Sequence, residues 1–336
     1  MRSSADRPGG VRARRADRLH RLTLAATATA LTTLAGALAG CSGGAAAVTG
    51  SGAGGGSATT GATSPSTTSA TPAPPPGAST ASASAVPMPT GDIPGWHQIF
   101  ADDFPTDVPV GGFSGCDQGT ARTCSGLPSA VEAKWWAYPD GWKDTSGQGV
   151  YMPSQTMSIA DGMMHLHMYT AAGTTMVAAP VPKIPDPVGS EGGQLYGRYA
   201  IRWMVKAPTD SFKLAWLLWP DSEKFPADGE IDFPEGQLNG DITAFMHRQN
   251  ATGDSDQNEF DTSVPISSGW HTSVVEWTAS ACTFTLDGTV IGTAATRIPN
   301  TPMHWVLQSE TVPDRVTNSS NTADIYIAWV TIYRPD

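Results

Sequence analysis

Three carboxylates lie within a stretch of six residues in the segment DGEIDFPE, which spans residues 228–235. They are Glu230, Asp232 and Glu235, in an otherwise apolar segment. Carboxylates crowded in this way repel one another, so some of their pKa values rise and the set keeps a proton near neutral pH. Such a set can supply both a nucleophile and a proton donor to one reaction. The simpler alternatives are a calcium site and a solvated acidic strand.

The alternation of a β-strand places Glu230 and Asp232 on one face and directs the intervening Ile231 into the core. Uninterrupted alternation would turn Glu235 to the other face. Proline cannot donate a hydrogen bond to a neighbouring strand and is found in strands chiefly at edges and bulges. A bulge at Pro234 adds one residue without advancing the alternation. The sequence therefore predicts that all three carboxylates share one face.

The distance between the outer two acids indicates which chemistry they perform. Glu230 and Glu235, with one bulge between them, lie roughly 13 Å apart at their Cα atoms. Side chains that lean toward each other bring the carboxyl groups to about 5–6 Å, the separation in retaining glycoside hydrolysis, whereas inverting enzymes need a wider gap that admits water. The apolar run KLAWLLW at 213–219 argues against a solvated strand.

The elements that must position these acids are strands. Helical periodicity is scarce, whereas short runs that are alternating or wholly apolar recur after residue 94. These runs are residues 163–169, 197–205, 213–219, 242–248, 271–277, 282–292, 303–309 and 323–333. The dipeptide Asp287-Gly288 between two of them is a hairpin signal. We predict an all-β fold, a two-sheet antiparallel β-sandwich of jelly-roll type.

The segment EIDFPE at 230–235 resembles the bulged E-x-D-x-x-E motif of glycoside hydrolase family 16, the group of laminarinases, lichenases, agarases and xyloglucan transferases. Five further stretches resemble that family in the same order: residues 100–104, 151–167, 193–207, 270–291 and 327–333. The resemblance implies a concanavalin A-like lectin/glucanase jelly roll. It also implies that Glu230 is the nucleophile, Asp232 its assistant and Glu235 the acid/base.

We therefore expect a retaining, endo-acting β-glycanase that cleaves a β-1,3-glucan-like or related polysaccharide, acting as a monomer without a cofactor. One alternative is a polysaccharide transglycosylase, in which a sugar hydroxyl replaces water in the second step. Another is a carbohydrate-binding sandwich without turnover. A binding module has no need of three acids, which favours the enzymes.

Sugar rings present apolar faces, so a cleft that binds them needs aromatic platforms beside the acids. By resemblance, Trp216 and Phe225 are the platforms, and Phe225 stands where laminarinase-like members have tryptophan. His247 and Gln308 match positions that line the family's cleft, and Gln155 is a further candidate for contact with substrate.

No metal site is expected. His165 and His167 share a strand face, but no third ligand is evident near them in the sequence, so we treat them as surface residues. Many family members hold a structural calcium with an aspartate in the last strand, and Ala328 replaces that aspartate here.

Residues 1–41 have the pattern of a bacterial lipoprotein signal. Seven Arg and two Asp precede an uncharged run of 19 residues at 22–40. The run ends in Leu-Ala-Gly-Cys41, which resembles a lipobox, so cleavage before Cys41 would let its thiol carry a lipid. A plain signal peptide or an uncleaved membrane helix is the alternative. We expect export and anchoring to the outer face of the cell membrane, or secretion.

Residues 42–93 are rich in Gly, Ser, Thr, Ala and Pro, a composition that predicts a disordered tether. Every Trp, Tyr and Phe lies after residue 94, so residues 94–336 are predicted to be one catalytic domain. Removal of the seven Arg and two Asp of the signal takes the net charge from −11 to −16. A domain this negative is not expected to bind nucleic acid.

Three cysteines follow Cys41 in the sequence. Cys116 and Cys124 are eight residues apart in a polar loop, and in an exported protein this spacing predicts a local disulfide. Cys282 lies in a strand-like run and is expected to be a buried free thiol.

Overall fold

A computed structural model of the chain describes residues 86–118, 121–315 and 317–336. The signal, Cys41 and nearly all of the predicted tether lie outside these residues. The described residues form two single-turn helices, α1 (Ser129–Glu132) and α2 (Pro153–Thr156), and are otherwise strands and loops. None of the described helices is long and apolar enough to cross a membrane.

The described residues form seventeen strands. They are β1 (Trp96–Asp102), β2 (Trp135–Ala137), β3 (Gly149–Tyr151), β4 (Met157–Ala160), β5 (Met163–Ala171), β6 (Thr174–Val177), β7 (Pro180–Pro182), β8 (Gly197–Lys206), β9 (Phe212–Pro220), β10 (Glu230–Gln237), β11 (Asp241–His247), β12 (Gln257–Pro265), β13 (Trp270–Trp277), β14 (Cys282–Leu286), β15 (Thr289–Ala294), β16 (Met303–Thr311) and β17 (Thr322–Pro335). Each strand-like run of the sequence falls within one or two of them, except that the run 242–248 extends one residue beyond β11.

Ten strands form one large sheet with the order β15-β14-β13-β8-β17-β5-β6-β3, in which β1 also pairs with β17 and β4 with β5. β17 has 14 residues and pairs with β8 along one edge. Its other edge pairs first with β5 and then with β1. β17, the last strand, therefore pairs with the first strand, β1.

The second sheet has five strands in the order β12-β11-β10-β9-β16, and the acids lie on its central strand, β10. β2 and β7 form a separate two-stranded sheet. All pairs within the five-stranded sheet are antiparallel. The predicted all-β, two-sheet architecture is confirmed.

Aromatic side chains from the two large sheets meet in the core between them. Trp203 of β8 packs edge-to-face on Trp216 of β9, with 5.5 Å between ring centroids. Phe233 of β10 meets Phe284 of β14 in the same way at 5.6 Å. Side chains that alternate outward from this layer remain free to form a site.

The three downstream cysteines have the predicted states. Cys116 and Cys124 are joined by a disulfide across eight residues. Cys282 is a buried free thiol on β14.

Candidate active site

The pairing of β10 with its neighbours places the three acids on one face. Asp232 is opposite Phe245 of β11, and Glu235 is opposite Thr243. Three steps along β10 thus correspond to two steps along β11, which is the count of a bulge. Glu230 is opposite residue 247, so the partners of the three acids are spaced by two and share a face. The predicted bulge is confirmed.

The residues on either side of the acids fix this irregular strand. Ile231 and Phe233 are fully buried on the core face. Gly236, directly after Glu235, has φ +151°, and a Cβ atom there would lie 2.6 Å from the Asp241 carbonyl oxygen. Only glycine leaves the chain free to resume its ladder after the bulge. The core side chains and this glycine together hold Glu235 toward the other acids.

Burial is the main influence on the acids. The exposed fraction of Glu230 is 3% and that of Asp232 is 2%. Burial raises the pKa of Glu230, and the charge of Glu235 raises it further. Burial also raises the pKa of Asp232 well above its ordinary value, followed by repulsion from Glu230. The sequence predicts raised pKa values from repulsion between the acids alone, whereas loss of hydration is the larger cause of the rise.

The interaction between Asp232 and Glu230 favours a proton on Asp232 over one on Glu230. The hydrogen bond between Asp232 and Glu230 lowers the pKa of Glu230 and raises that of Asp232. These opposite effects are those of a neutral carboxylic acid that donates to an ionised carboxylate. The interaction therefore favours ionisation of Glu230 before Asp232, while burial still raises the pKa of Glu230 to about 8.

His247, on β11, borders Glu230 and Asp232. Its Nδ1 lies 2.8 Å from the carbonyl oxygen of Asp254, which can only accept, so Nδ1 carries the proton. Its Nε2 faces Asp232 Oδ2 at 3.6 Å and Glu230 Oε2 at 3.9 Å. Burial lowers the pKa of His247 to about 4. Nε2 of His247 thus faces both carboxyl groups without a hydrogen bond to Asp232 Oδ2 or Glu230 Oε2.

Glu230, Asp232 and His247 also bring three ligand atoms within 4.8 Å of one another. A metal ion that entered this group would compete with the proton on Asp232.

A buried ion pair lies beyond Glu235 on the same face of the sheet. Lys213 of β9 is opposite Glu310 of β16, and its Nζ is 3.4 Å from Glu310 Oε2. Tyr151 and Thr145 donate hydrogen bonds to the Glu310 carboxylate. Sequence reasoning missed this pair, because only the strand register shows that residue 213 shares the face of the acids.

The Lys213–Glu310 ion pair affects the pKa of Glu235. Burial raises the pKa of Glu235, the ammonium of Lys213 opposes that rise, and Glu310 and Glu259 add to it. Glu235 is less buried than the other two acids, so it is the acid of the trio with the most access to solvent.

Residues 145–331 match the family Glycosyl hydrolases family 16. The chain belongs to this family. The match includes the bulged strand, both acids flanking Asp232, and the Lys213–Glu310 pair. The protein is therefore a glycoside hydrolase.

Solved structures show the same fold at low sequence identity. The laminarinase from Rhodothermus marinus matches with a TM-score of 0.56 and 18% identity, covering 72% of this chain and 98% of its own. A single-residue variant of LamA from Z. galactanivorans, in complex with laminaritriose and laminaritetraose, matches with a TM-score of 0.51 and 19% identity, covering 70% and 98%.

A third match is a structure from work on endo-acting O-glycanases of human gut microbiota that initiate mucin breakdown. Its TM-score is 0.53 at 17% identity, and it covers 74% of this chain and 94% of its own. These three matches confirm the predicted jelly-roll sandwich. None of the curated proteins matches the chain in sequence.

Trp216 does not lie on the face of the sheet that carries the three acids. Asp232 is opposite Leu217, so the odd-numbered residues of β9 share the acid face and the even-numbered residues face the core. Trp216 is fully buried against Trp203 of the other sheet. The expectation that Trp216 is a sugar platform is wrong. Trp219 lies on the acid face instead.

Phe225 lies near the acids but is enclosed. Its ring stacks on Trp219 with 5.3 Å between centroids and meets His247 edge-to-face at 5.2 Å. Phe225 and Trp219 are both buried. Phe225 therefore packs between Trp219 and His247.

Gln308 shares a row with Glu235, because Gln308 is opposite Ala215 and Ala215 is opposite Glu235. Gln308 therefore lies on the acid face, and its contact with substrate stays a prediction. Gln155 of α2 is exposed, and its Oε1 accepts a hydrogen bond from Tyr169 of the ten-stranded sheet. No described hydrogen bond joins Gln155 to the acids.

We predict that Trp216→Ala lowers the free energy of unfolding by roughly 3–5 kcal/mol, because it leaves a cavity between the sheets. Trp270→Ala, at a half-buried tryptophan on the outer face of the other sheet, is the control and should cost less. Urea denaturation of both variants measures the difference. Trp216→Phe should keep its affinity for oligosaccharide, and loss of that affinity without loss of stability would place residue 216 at the substrate.

Proposed function

We propose that the protein is a retaining, endo-acting β-glycanase. The observation that carries the proposal is the bulge of β10, which puts Glu230, Asp232 and a third, more accessible acid on one face. In this assignment Glu230 is the nucleophile and Glu235 the general acid/base. Asp232 is the residue that positions Glu230 and adjusts its charge.

In the first step Glu235, whose pKa is raised, donates its proton to the glycosidic oxygen as that bond breaks. A carboxylate oxygen of Glu230 attacks the anomeric carbon from the opposite side, forming a glycosyl ester and releasing the leaving sugar as an alcohol. Glu230 loses its negative charge in this step. The hydrogen bond from Asp232 then weakens, which accommodates the change.

In the second step Glu235, now ionised, removes a proton from water, and the water oxygen attacks the anomeric carbon. The ester bond breaks and its electron pair returns to Glu230. Two displacements give net retention at the anomeric carbon. Asp232 again donates to the restored carboxylate, and Glu235 again holds a proton.

For the substrate we propose a β-1,3-glucan or a related β-glucan. Support comes from relatives of the same fold: a laminarinase, and a structure that holds laminaritriose and laminaritetraose. The likeness to the third structure, from work on mucin O-glycanases, makes a panel of polysaccharides the right first assay. Laminarin, mixed-linkage glucan, galactan, agarose and mucin glycans should be compared by release of reducing ends.

Glu230→Gln is expected to lower kcat by roughly 1,000-fold or more while leaving oligosaccharide binding in place, since the amide cannot form the glycosyl ester. Reducing-end release and calorimetric binding measure the two effects. Glu276→Gln, on the other sheet, is the matched control and should keep full activity. For the wild-type protein, NMR of the first product should show the β-anomer; the α-anomer, or an active Glu230→Gln variant, contradicts the mechanism. Longer products formed with an added acceptor sugar would instead indicate transglycosylation.

The buried ion pair predicts two opposite shifts in the pH profile. The alkaline limb of kcat/KM reports loss of the proton from Glu235 in the free enzyme. Lys213→Met removes the cation that holds the pKa of Glu235 down, so this limb should move to higher pH. Glu310→Gln removes a charge that raises that pKa, so the limb should move to lower pH. Lys206→Met, on the other sheet, is the control; shifts in the same direction for both variants would contradict the assignment of Glu235.

We propose that Cys41 carries a lipid and that the domain acts at the outer face of the membrane. Support comes from the arginine-rich start, the uncharged run and the Leu-Ala-Gly-Cys sequence. Radiolabelled palmitate should be incorporated into the wild-type protein and the label lost in Cys41→Ser. A labelled Cys41→Ser protein, or an unlabelled wild-type protein in the culture medium, would contradict anchoring at Cys41.

A further inference from the structure

Two histidines and an aspartate meet on the outer face of the ten-stranded sheet, away from the acids. His165 and His167 lie two residues apart on β5, and Asp324 of β17 is opposite His167. Their neighbours Leu166 and Ile325 point into the core. We propose that these three side chains bind a divalent transition-metal ion of the Zn²⁺ class.

The three groups converge on one point. Asp324 Oδ1 is 2.8 Å from His165 Nε2 and 2.7 Å from His167 Nδ1. All three ligand atoms lie within 4.8 Å of one another. Without an ion, each imidazole can donate a hydrogen bond to the same oxygen. An ion takes the place of those two protons and is held by the same three atoms.

Neighbouring tyrosines fix the orientation of the two imidazole rings. His165 stacks on Tyr326 at 4.5 Å with an interplanar angle of 2°. His167 stacks on Tyr169 at 5.0 Å. Each ring is thus held with a nitrogen toward Asp324, so that little side-chain freedom remains to be lost on binding.

A lysine also borders the site. Lys206 of β8 is opposite Asp324 on the side away from β5. Its Nζ lies 5.1 Å above the ring of Tyr326. The ammonium is therefore held by an aromatic face while the carboxylate faces the histidines.

The donor set selects the kind of ion. Imidazole nitrogen suits zinc, copper and nickel, whereas calcium takes oxygen ligands and six to eight of them. One carboxylate and two imidazoles leave a tetrahedral ion one open position. The exposed side-chain fractions are 28% for His165, 41% for His167 and 23% for Asp324, so water can occupy that position.

The absence of a metal was predicted because no third ligand is evident near the two histidines in the sequence. Asp324 is 157 residues from His167 and reaches it only through the pairing of β5 with β17. The site is separate from Ala328, which packs with Met163 and Trp329 and offers no oxygen ligand from its side chain. An ion at His165 joins two strands that are remote in sequence, so it should stabilise the fold.

The test is a titration of the purified protein, stripped with EDTA, with ZnCl₂ by isothermal calorimetry. We expect one Zn²⁺ per chain at the site, with no competition from a large excess of Ca²⁺. Zinc should also raise Tm by several degrees at saturating concentration. His167→Ala and Asp324→Asn should each weaken zinc binding by about tenfold or more and abolish the rise in Tm. His97→Ala, at an exposed histidine beside Asp92, is the control and should bind zinc like the wild type.

The second group of possible ligands provides a further check. Zinc that binds at Glu230, Asp232 and His247 should inhibit glycan hydrolysis, and that binding should survive His167→Ala. The proposal is overturned if no zinc binds, or if zinc binds with the same affinity to His167→Ala and Asp324→Asn. All these variants lie outside the proposed catalytic residues, so retained hydrolysis confirms that they are folded. Failure of zinc binding would leave the proposed glycanase activity untouched.

Discussion

The burial of three carboxylates beside one another is the interaction on which the rest of the active site depends. An ionised carboxylate loses several kcal/mol of hydration when it is taken out of water, and like charges add to this cost. A proton on Asp232 would lower both costs, and the interaction between the two acids favours it by raising the pKa of Asp232 and lowering that of Glu230. His247, with its Nδ1 bound to the Asp254 carbonyl, faces Asp232 Oδ2 with Nε2 at 3.6 Å. The charge of Glu230 thus depends on the acid beside it, Asp232.

The same constraint explains why the strand must be irregular. A regular strand would turn one of the three carboxylates into the core, where Ile231 and Phe233 now lie. The bulge adds a residue on β10 without moving its neighbours, and Gly236 lets the chain continue past the close carbonyl of Asp241. Lys213 and Glu310 then adjust the pKa of Glu235 from the adjoining row. The position of the three acids on one face therefore depends on the one extra residue in β10.

The sequence alone was sufficient for features with local causes. Period-two patterning predicts the strands, Pro234 predicts the bulge, and the spacing of Cys116 and Cys124 predicts their disulfide. Features that depend on register could not be read in this way. Trp216 and Trp219 differ only in which face of β9 they occupy, and that face is fixed by the pairing of Leu217 with Asp232. Asp324 and Glu310 reach their partners through pairings between strands remote in sequence, which no local pattern encodes.

Phe225 shows how a departure from the family's aromatic pattern affects the acids indirectly. The laminarinase-like pattern has tryptophan there, yet this ring is enclosed between Trp219 and His247. A larger indole in the same space would have to displace His247 or Trp219, because interiors are close-packed. Movement of His247 would change the distance from its Nε2 to Asp232 Oδ2, now 3.6 Å. The size of residue 225 therefore affects where the imidazole lies beside the acids.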